Sequence, residues 1–152
     1  MGGLFPPAWP ETTAMATVAL RTSASTYAHL AADAAAGRVG GTTVVTTTKG
    51  RALYFSKRLL PFVPPAATPT AHEMVRLHLG VYAYRPGALK RYASATPTVL
   101  EELEGLEQLR FLEEDAPVRV VTFDPVGWDT IELNNPSDVP AIEAVLAGRG
   151  IA

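Results

Sequence analysis

The sequence contains no cysteine, which removes disulfides, thiolate-bound zinc and cysteine nucleophiles together. Histidine is scarce: His29, His72 and His78 include no two spaced i, i+4, so the paired-histidine zinc helix is missing and a zinc centre is not expected. The serines Ser23, Ser25 and Ser56 lack a nucleophile-elbow frame, which speaks against a serine hydrolase. No stretch approaches the ~18 apolar residues that span a bilayer, so no membrane partner is expected. The start, Met1-Gly2-Gly3-Leu4-Phe5-Pro6-Pro7, has no basic n-region and no Ser/Thr at the position a myristoylation signal requires, and a cytoplasmic address follows by elimination. Charge of one sign is also lacking: the net charge is −2, which argues against a nucleic-acid partner. The glycines of Gly37 to Thr43 have neither a following helix nor a Walker lysine, and read as a turn.

What is present fits one globular domain of 152 residues, 47% hydrophobic and 18% charged. The charge is divided unevenly, with +7 over Met1 to Tyr92 and −9 over Ala93 to Ala152. Such a field either draws an anionic ligand to the basic half or lets the two halves face each other. Residues 1–14, rich in proline, read as a loose leading segment, and residues 15–152 as the folded body. Met15 to Leu20 has the near-continuous apolar run of a strand buried on both faces. Tyr27 to Ala36 is alanine-rich and predicts a helix ended by Gly37. The β-branched run Thr42 to Thr48, a turn at Lys49-Gly50 and a return over Ala52 to Ser56 predict a hairpin, followed by a proline-rich loop over Pro61 to Pro69. A strand over His78 to Arg85 carries Gly80 as a bulge or close approach. A short helix follows over Ala88 to Ser94. Thr98 then caps the longest helix, Val99 to Glu114, along which Leu100, Leu103, Leu106, Leu109 and Leu112 recur every third residue. Val118 to Phe123 predicts a strand, and Asn135-Pro136 opens a last helix to about Ala147. The interleaving gives an α/β class with a mixed sheet.

Three groups of residues offer chemistry, and each fits a plain structural role as well. His78, Gly80, Tyr82 and Tyr84 share one face of a strand, where their polar tips outline either a pocket or a half-buried aromatic ladder. Glu104, Glu107 and Gln108 fall within one helical turn, a set suited to the hydroxyls of a sugar or to a solvated helix face. Lys57-Arg58 follows a strand directly, where α/β sheets place ligands and where ordinary surfaces also place cations.

In order, Arg51-Ala-Leu-Tyr-Phe-Ser-Lys57, His78-Leu-Gly-Val-Tyr-Ala-Tyr-Arg85 and Leu103-Glu-Gly-Leu-Glu-Gln-Leu-Arg110 resemble the C-terminal half of the 3-deoxy-manno-octulosonate cytidylyltransferases, the CMP-Kdo synthetases. The resemblance extends from Met15-Ala-Thr to the final helix. It implies a mixed sheet of the nucleotide-diphospho-sugar transferase type, incomplete because the N-terminal nucleotide-binding part has no counterpart. It also implies transfer of CMP from CTP to an eight-carbon sugar acid, with release of pyrophosphate and with Mg²⁺ as cofactor, in an enzyme that usually dimerises. Carried over residue by residue, it makes Lys57, His78, Tyr82, Glu107 and Gln108 the sugar-acid pocket. Lys57 would pair with the substrate carboxylate, although the family usually has Arg there and lysine lacks the bidentate fork.

Two departures from the family pattern stand out. Nothing in Met1 to Thr13 matches the family's nucleotide loop or its first metal-binding Asp, and without those parts no turnover of CTP by the chain alone is expected. The second metal-binding Asp falls on Asn134 in the favoured register and on Asp129 in the alternative one; Asn134 can ligate Mg²⁺ through its carbonyl but brings no charge. The resulting expectation is a sugar-acid-binding half of a cytidylyltransferase, truncated or completed by a second chain. The alternative is a non-catalytic sugar-acid-binding or dimerisation module. If missing residues supply central strands, Met15 to Leu20 and neighbouring strands would be left with open edges, so a dimer or larger species is expected.

Overall fold

The computed structural model describes residues 12–64, 66–67 and 69–151. Most of the leading segment read from the sequence lies outside the described residues. Its end does not: Ala14 is buried, its amide bonded to Pro117 O at 2.9 Å and its carbonyl to Arg85 N at 3.0 Å.

Five strands form one mixed sheet: β1 (Met15–Arg21), β2 (Thr43–Thr46), β3 (Ala52–Ser56), β4 (Arg76–Tyr84) and β5 (Val118–Phe123), in the order β3-β2-β4-β1-β5. Only β1 and β5 run parallel; β1–β4, β2–β4 and β2–β3 are antiparallel. The apolar run of β1 is buried along most of its length because β1 lies between β4 and β5. The open edge expected on β1 is therefore absent from it and falls instead on its neighbour β5, with β3 ending the order on the other side. β2 is shorter than its β-branched run suggested, because Thr47 leaves the ladder to build the hairpin turn, where Gly50 sits at φ +75. That turn reaches past its own hairpin. Gly50 O accepts from Val120 N at 2.8 Å, and Arg51 and Arg119 form an isolated antiparallel bridge, so the sheet curls until its two ends meet.

The Gly80 irregularity is a real one. Thr17 pairs with Tyr82 and Val18 with Leu79, which leaves Gly80 and Val81 as two additional residues in β4. An even insertion preserves the alternation of side chains, so His78 and Tyr82 stay on one face. The Thr17 hydroxyl contacts the carbonyl of the bulge residue Val81 at 2.9 Å and that of Leu79, just before the bulge, at 3.3 Å.

Helix α1 (Ala24–Ala35) begins earlier than alanine content alone suggested, because Ser23 caps it: its Oγ accepts from Thr26 N at 3.0 Å. It ends at Gly37, φ +71, with Arg38 N returning to Asp33 O at 2.8 Å in a Schellman closure. Helix α2 (Pro86–Ser94) follows β4 directly. The long helix expected over Val99 to Glu114 is two short ones, α3 (Val99–Glu104) and α4 (Gln108–Glu113), because Gly105 takes the left-handed conformation at φ +61 and stops the first. The leucine stripe consequently divides: Leu103 is 78% exposed, whereas Leu106 and Leu109 are buried in the core with Phe55, Phe111, Val118 and Val120. The last helix opens with a 3₁₀ turn over Pro136–Asp138 and continues as α5 (Val139–Gly148).

Candidate functional site

The face of the sheet that carries His78 is lined by a continuous ladder of rings. Phe55 meets His78 edge-on at 5.1 Å between centroids, and His78, Tyr82, Tyr84, Phe111 and Tyr92 follow at 5.5, 5.9, 5.9 and 5.2 Å. Each successive residue comes from β3, β4, α4 or α2, so the ladder fixes these elements to one another before any ligand is considered.

His78 is 4% exposed, and its Nε2 lies 2.9 Å from Thr17 Oγ1. The single hydroxyl hydrogen of Thr17 is engaged by the Val81 and Leu79 carbonyls, so the hydrogen-bond network assigns the proton to His78 Nε2 and leaves Nδ1 as the acceptor. Burial lowers the pKa of His78 to about 4, and the imidazole is neutral near pH 7.

Tyr82 is half-buried, and its hydroxyl donates to Gln108 Oε1 at 3.3 Å. Burial pushes the phenol up to about 12, reinforced by Tyr84 and by the charges of Glu107 and Glu132. The charges of two further segments thus act on this hydroxyl, Glu107 before α4 and Glu132 in the stretch before the last helix, while Gln108 is hydrogen-bonded to it. Gln108 is 2% exposed and its Nε2 has no hydrogen-bond partner. In either orientation of the amide, one of its ends lacks a protein partner. Glu107, as the residue before α4, is exposed.

Lys57 stands on the other side of the α3–α4 elbow. It is exposed, and its Nζ occupies the space beside Gly105, 2.8 Å from where a Cβ would be. It lines an open cleft of about 530 Å³ together with Arg38, Arg58, Tyr54, Leu100 and Glu104. Glu104 anchors this corner, accepting from Ser56 Oγ at 2.7 Å, from Lys57 N at 3.0 Å and from Tyr54 OH at 3.4 Å. The structure thus brings His78, Tyr82 and Gln108 into one ladder, sets Glu107 at its rim, and places Lys57 at the far end of the elbow in a cleft of its own.

The two alternatives for the metal position differ in their surroundings. Asp129 Oδ1 accepts from the hydroxyls of Ser23 and Thr26 at 2.9 and 3.4 Å and from Ser25, and the Ser25 bond, against burial, holds its carboxyl below the usual range. It serves the N-terminus of α1. Asn134 is exposed, and its Nδ2 donates to Glu132 Oε2 at 3.3 Å. Burial raises the pKa of Glu132, with the Asn134 bond opposing. Sequence reading did not single out Glu132. No periodic signal was available for it, because it lies outside the strands and helices in a segment turned at Leu133, where Asn134 N donates to Glu132 O at 3.1 Å.

A model of the cytidylyltransferase family matches residues 21–119. The chain belongs to that family. Among its relatives, the 3-deoxy-manno-octulosonate cytidylyltransferase of Maricaulis maris is 38% identical over 138 residues, covering 90% of this chain and 51% of that protein. The enzyme of the same name from Acidobacterium capsulatum is 42% identical over 106 residues, covering 70% of this chain and 41% of that one. Among solved structures, a CMP:2-keto-3-deoxy-manno-octonic acid synthetase in complex with CTP superposes with a TM-score of 0.61 at 26% identity, over 90% of this chain and 50% of that chain. The chain spans about half the length of the curated relatives it matches. Among the described residues, no helix is long and apolar enough to cross a membrane.

Proposed function

We propose that these 152 residues supply the sugar-acid side of a cytidylyltransferase that acts on 3-deoxy-manno-octulosonate. The observation that carries the reading is the Tyr82–Gln108 pair, in which a buried amide has one end without a partner beside a half-buried phenol. Sugar hydroxyls both donate and accept, so the acceptors Glu107 and Glu132 and the donor end of Gln108 complement them. Lys57, with Arg58 in the cleft across the α3–α4 elbow, would provide the cation for a substrate carboxylate that extends past the elbow from Tyr82 and Gln108. His78, neutral and locked to Thr17, holds the bulge that presents Tyr82. The attacking group in this chemistry is the substrate's own hydroxyl, so no side-chain nucleophile is required.

Glu132 and Asn134 would hold Mg²⁺. Both offer oxygen donors, and Glu132 brings the charge that Asn134 does not, a set suited to a hard cation that keeps most of its water. Bound there, Mg²⁺ would neutralise phosphate charge on CTP. We further take this stretch to bind the sugar acid without turning over CTP by itself, and to self-associate through the outer edge of β3.

Thermal unfolding with and without 3-deoxy-manno-octulosonate tests the reading. At about 100 times its dissociation constant the ligand is expected to stabilise the chain by about 2.7 kcal/mol, with no pyrophosphate release when CTP and Mg²⁺ are added. Tyr82→Phe and Gln108→Ala are each expected to weaken binding by about tenfold, the value of one hydrogen bond. A cooperative melt that the sugar acid does not move would favour a non-catalytic dimerisation module instead.

A further inference from the structure

A second group of ionisable side chains lies away from the Tyr82 neighbourhood. His29 and Asp33 are one turn apart on α1, and Asp138 comes from the 3₁₀ turn before α5. His29 Nε2 is 3.5 Å from Asp33 Oδ2 and 3.3 Å from Asp138 Oδ1, and the three ligand atoms lie within 4.8 Å of one another. Asp33 is 2% exposed and Asp138 0%. Those same three atoms, His29 Nε2, Asp33 Oδ2 and Asp138 Oδ1, have no hydrogen-bond partner.

The other oxygen of each carboxylate is occupied. Asp33 Oδ1 accepts from Arg38 Nε at 2.9 Å and Nη2 at 2.6 Å. Asp138 Oδ2 accepts from Asn134 N at 2.9 Å, Asn135 N at 2.6 Å and Asn135 Nδ2 at 3.3 Å. Each carboxylate is thus oriented through one oxygen while the second is turned into a shared space, the arrangement that outer-shell partners impose on metal ligands. Gly40 keeps that space open, since a Cβ there would fall 2.9 Å from Asp33 Oδ2. Hydrogen bonding does not explain the spacing, because a charged imidazole pairing with a carboxylate closes to ~2.7–2.9 Å. Bonds of ~2.0–2.1 Å at tetrahedral angles, by contrast, set donor atoms ~3.3 Å apart. Asp138 moreover has only amide donors on Oδ2 and is fully buried, a charge that calls for a cation.

We propose that His29, Asp33 and Asp138 form a binding site for a divalent transition metal, Zn²⁺ in the first instance, that ties α1 to the segment before α5. One imidazole and two carboxylates are a mixed nitrogen and oxygen set that suits Zn²⁺ better than Mg²⁺. Through Asp138 Oδ2 the metal would also stiffen the backbone at Asn134.

Calorimetric titration of the metal-stripped chain with Zn²⁺ tests this, together with the visible spectrum after Co²⁺ substitution and the His29 ring signals in NMR. One Zn²⁺ per chain, four-coordinate Co²⁺ bands and a Zn²⁺-dependent shift of the His29 nitrogens are expected, with Mg²⁺ failing to compete. His29→Ala and Asp33→Asn are expected to weaken Zn²⁺ binding more than about 100-fold, whereas His72→Ala leaves it unchanged. The wild-type Co²⁺ and NMR readouts remain decisive even if a variant does not fold. Binding that survives His29→Ala, or a His29 that titrates as an imidazolium and ignores Zn²⁺, would overturn the proposal in favour of a plain ion-pair triad.

Discussion

His78 couples the stability of the chain to pH. Its folded pKa of about 4 lies below the unfolded value of 6.5, so the unfolded chain takes up the proton first as pH falls. The contribution is complete above about pH 6.5, declines from there and is gone below about 4, where both states are protonated. At roughly 1.4 kcal/mol per unit, a loss on the order of 3 kcal/mol is expected across that window, and chemical denaturation from pH 7 to pH 4 measures it. Replacing His78 by Gln should flatten that part of the profile. Thr17→Val is expected to cost about 1–3 kcal/mol, because it removes the partner of the buried His78 Nε2 and of Val81 O. At this scale, much of the aromatic site was legible. The two-residue period put His78, Tyr82 and Tyr84 on one face, and the bulge preserved that order only because it adds an even number of residues. Glu132 escaped notice because it lies in a loop, where no period operates. The His29 cluster escaped because a search for paired histidines passes over Asp33 one turn away and over Asp138 near the other end of the chain.

Between α3 and α4, one glycine decides the geometry. Propensity and the leucine repeat favoured a single helix, since nothing in a three-residue period distinguishes a continuous stripe from two short ones, and Gly105 alone carried the sign of a stop. Its left-handed backbone turns the chain so that Lys57 lies on one side of the elbow and Gln108 meets Tyr82 on the other. Gly105→Ala is expected to cost about 1 kcal/mol, through backbone strain more than contact, because the neighbour it meets is the mobile tip of Lys57. The elbow is held by Arg110, whose Nε and Nη2 bond Glu101 Oε2 and Oε1, each at 2.6 Å, and whose Nη1 reaches Tyr92 O at 3.0 Å and Ala95 O at 3.2 Å. Its guanidinium also lies 4.0 Å over the Tyr92 ring. Both charges are buried. Arg110→Met should therefore lower stability by about 3–5 kcal/mol, since it leaves Glu101 without its partner; urea denaturation of Arg110→Met and of the double variant with Glu101→Leu separates lost pairing from lost packing. The sequence displayed Arg110 at the end of a family motif without showing that α2, α3 and α4 converge on it.

The whole molecule follows the α/β reading in its elements and departs from it in how the sheet ends. Strand order was not legible from patterning, because alternation says which face a residue takes and not which strand lies beside it. Among the described residues β3 pairs only with β2, and Leu53 on it is 51% exposed. Self-association through that edge is expected at micromolar concentrations by sedimentation velocity, and a persistent monomer would count against it. The two ends of the sheet touch at one place, where the hairpin tip before β3 closes over β5 at Gly50 and Val120. A curled sheet fastened by a short clasp has a preferred place to come apart. Deuterium exchange at the Val120 amide should therefore proceed by a local route, faster than exchange along β1, which waits for global unfolding. Gly50→Ala, with a Cβ 3.1 Å from Val120 O and the wrong backbone preference at φ +75, should loosen the clasp and accelerate exchange there first. The chain would then behave as a ring with a latch, open at one seam while its central strands remain paired.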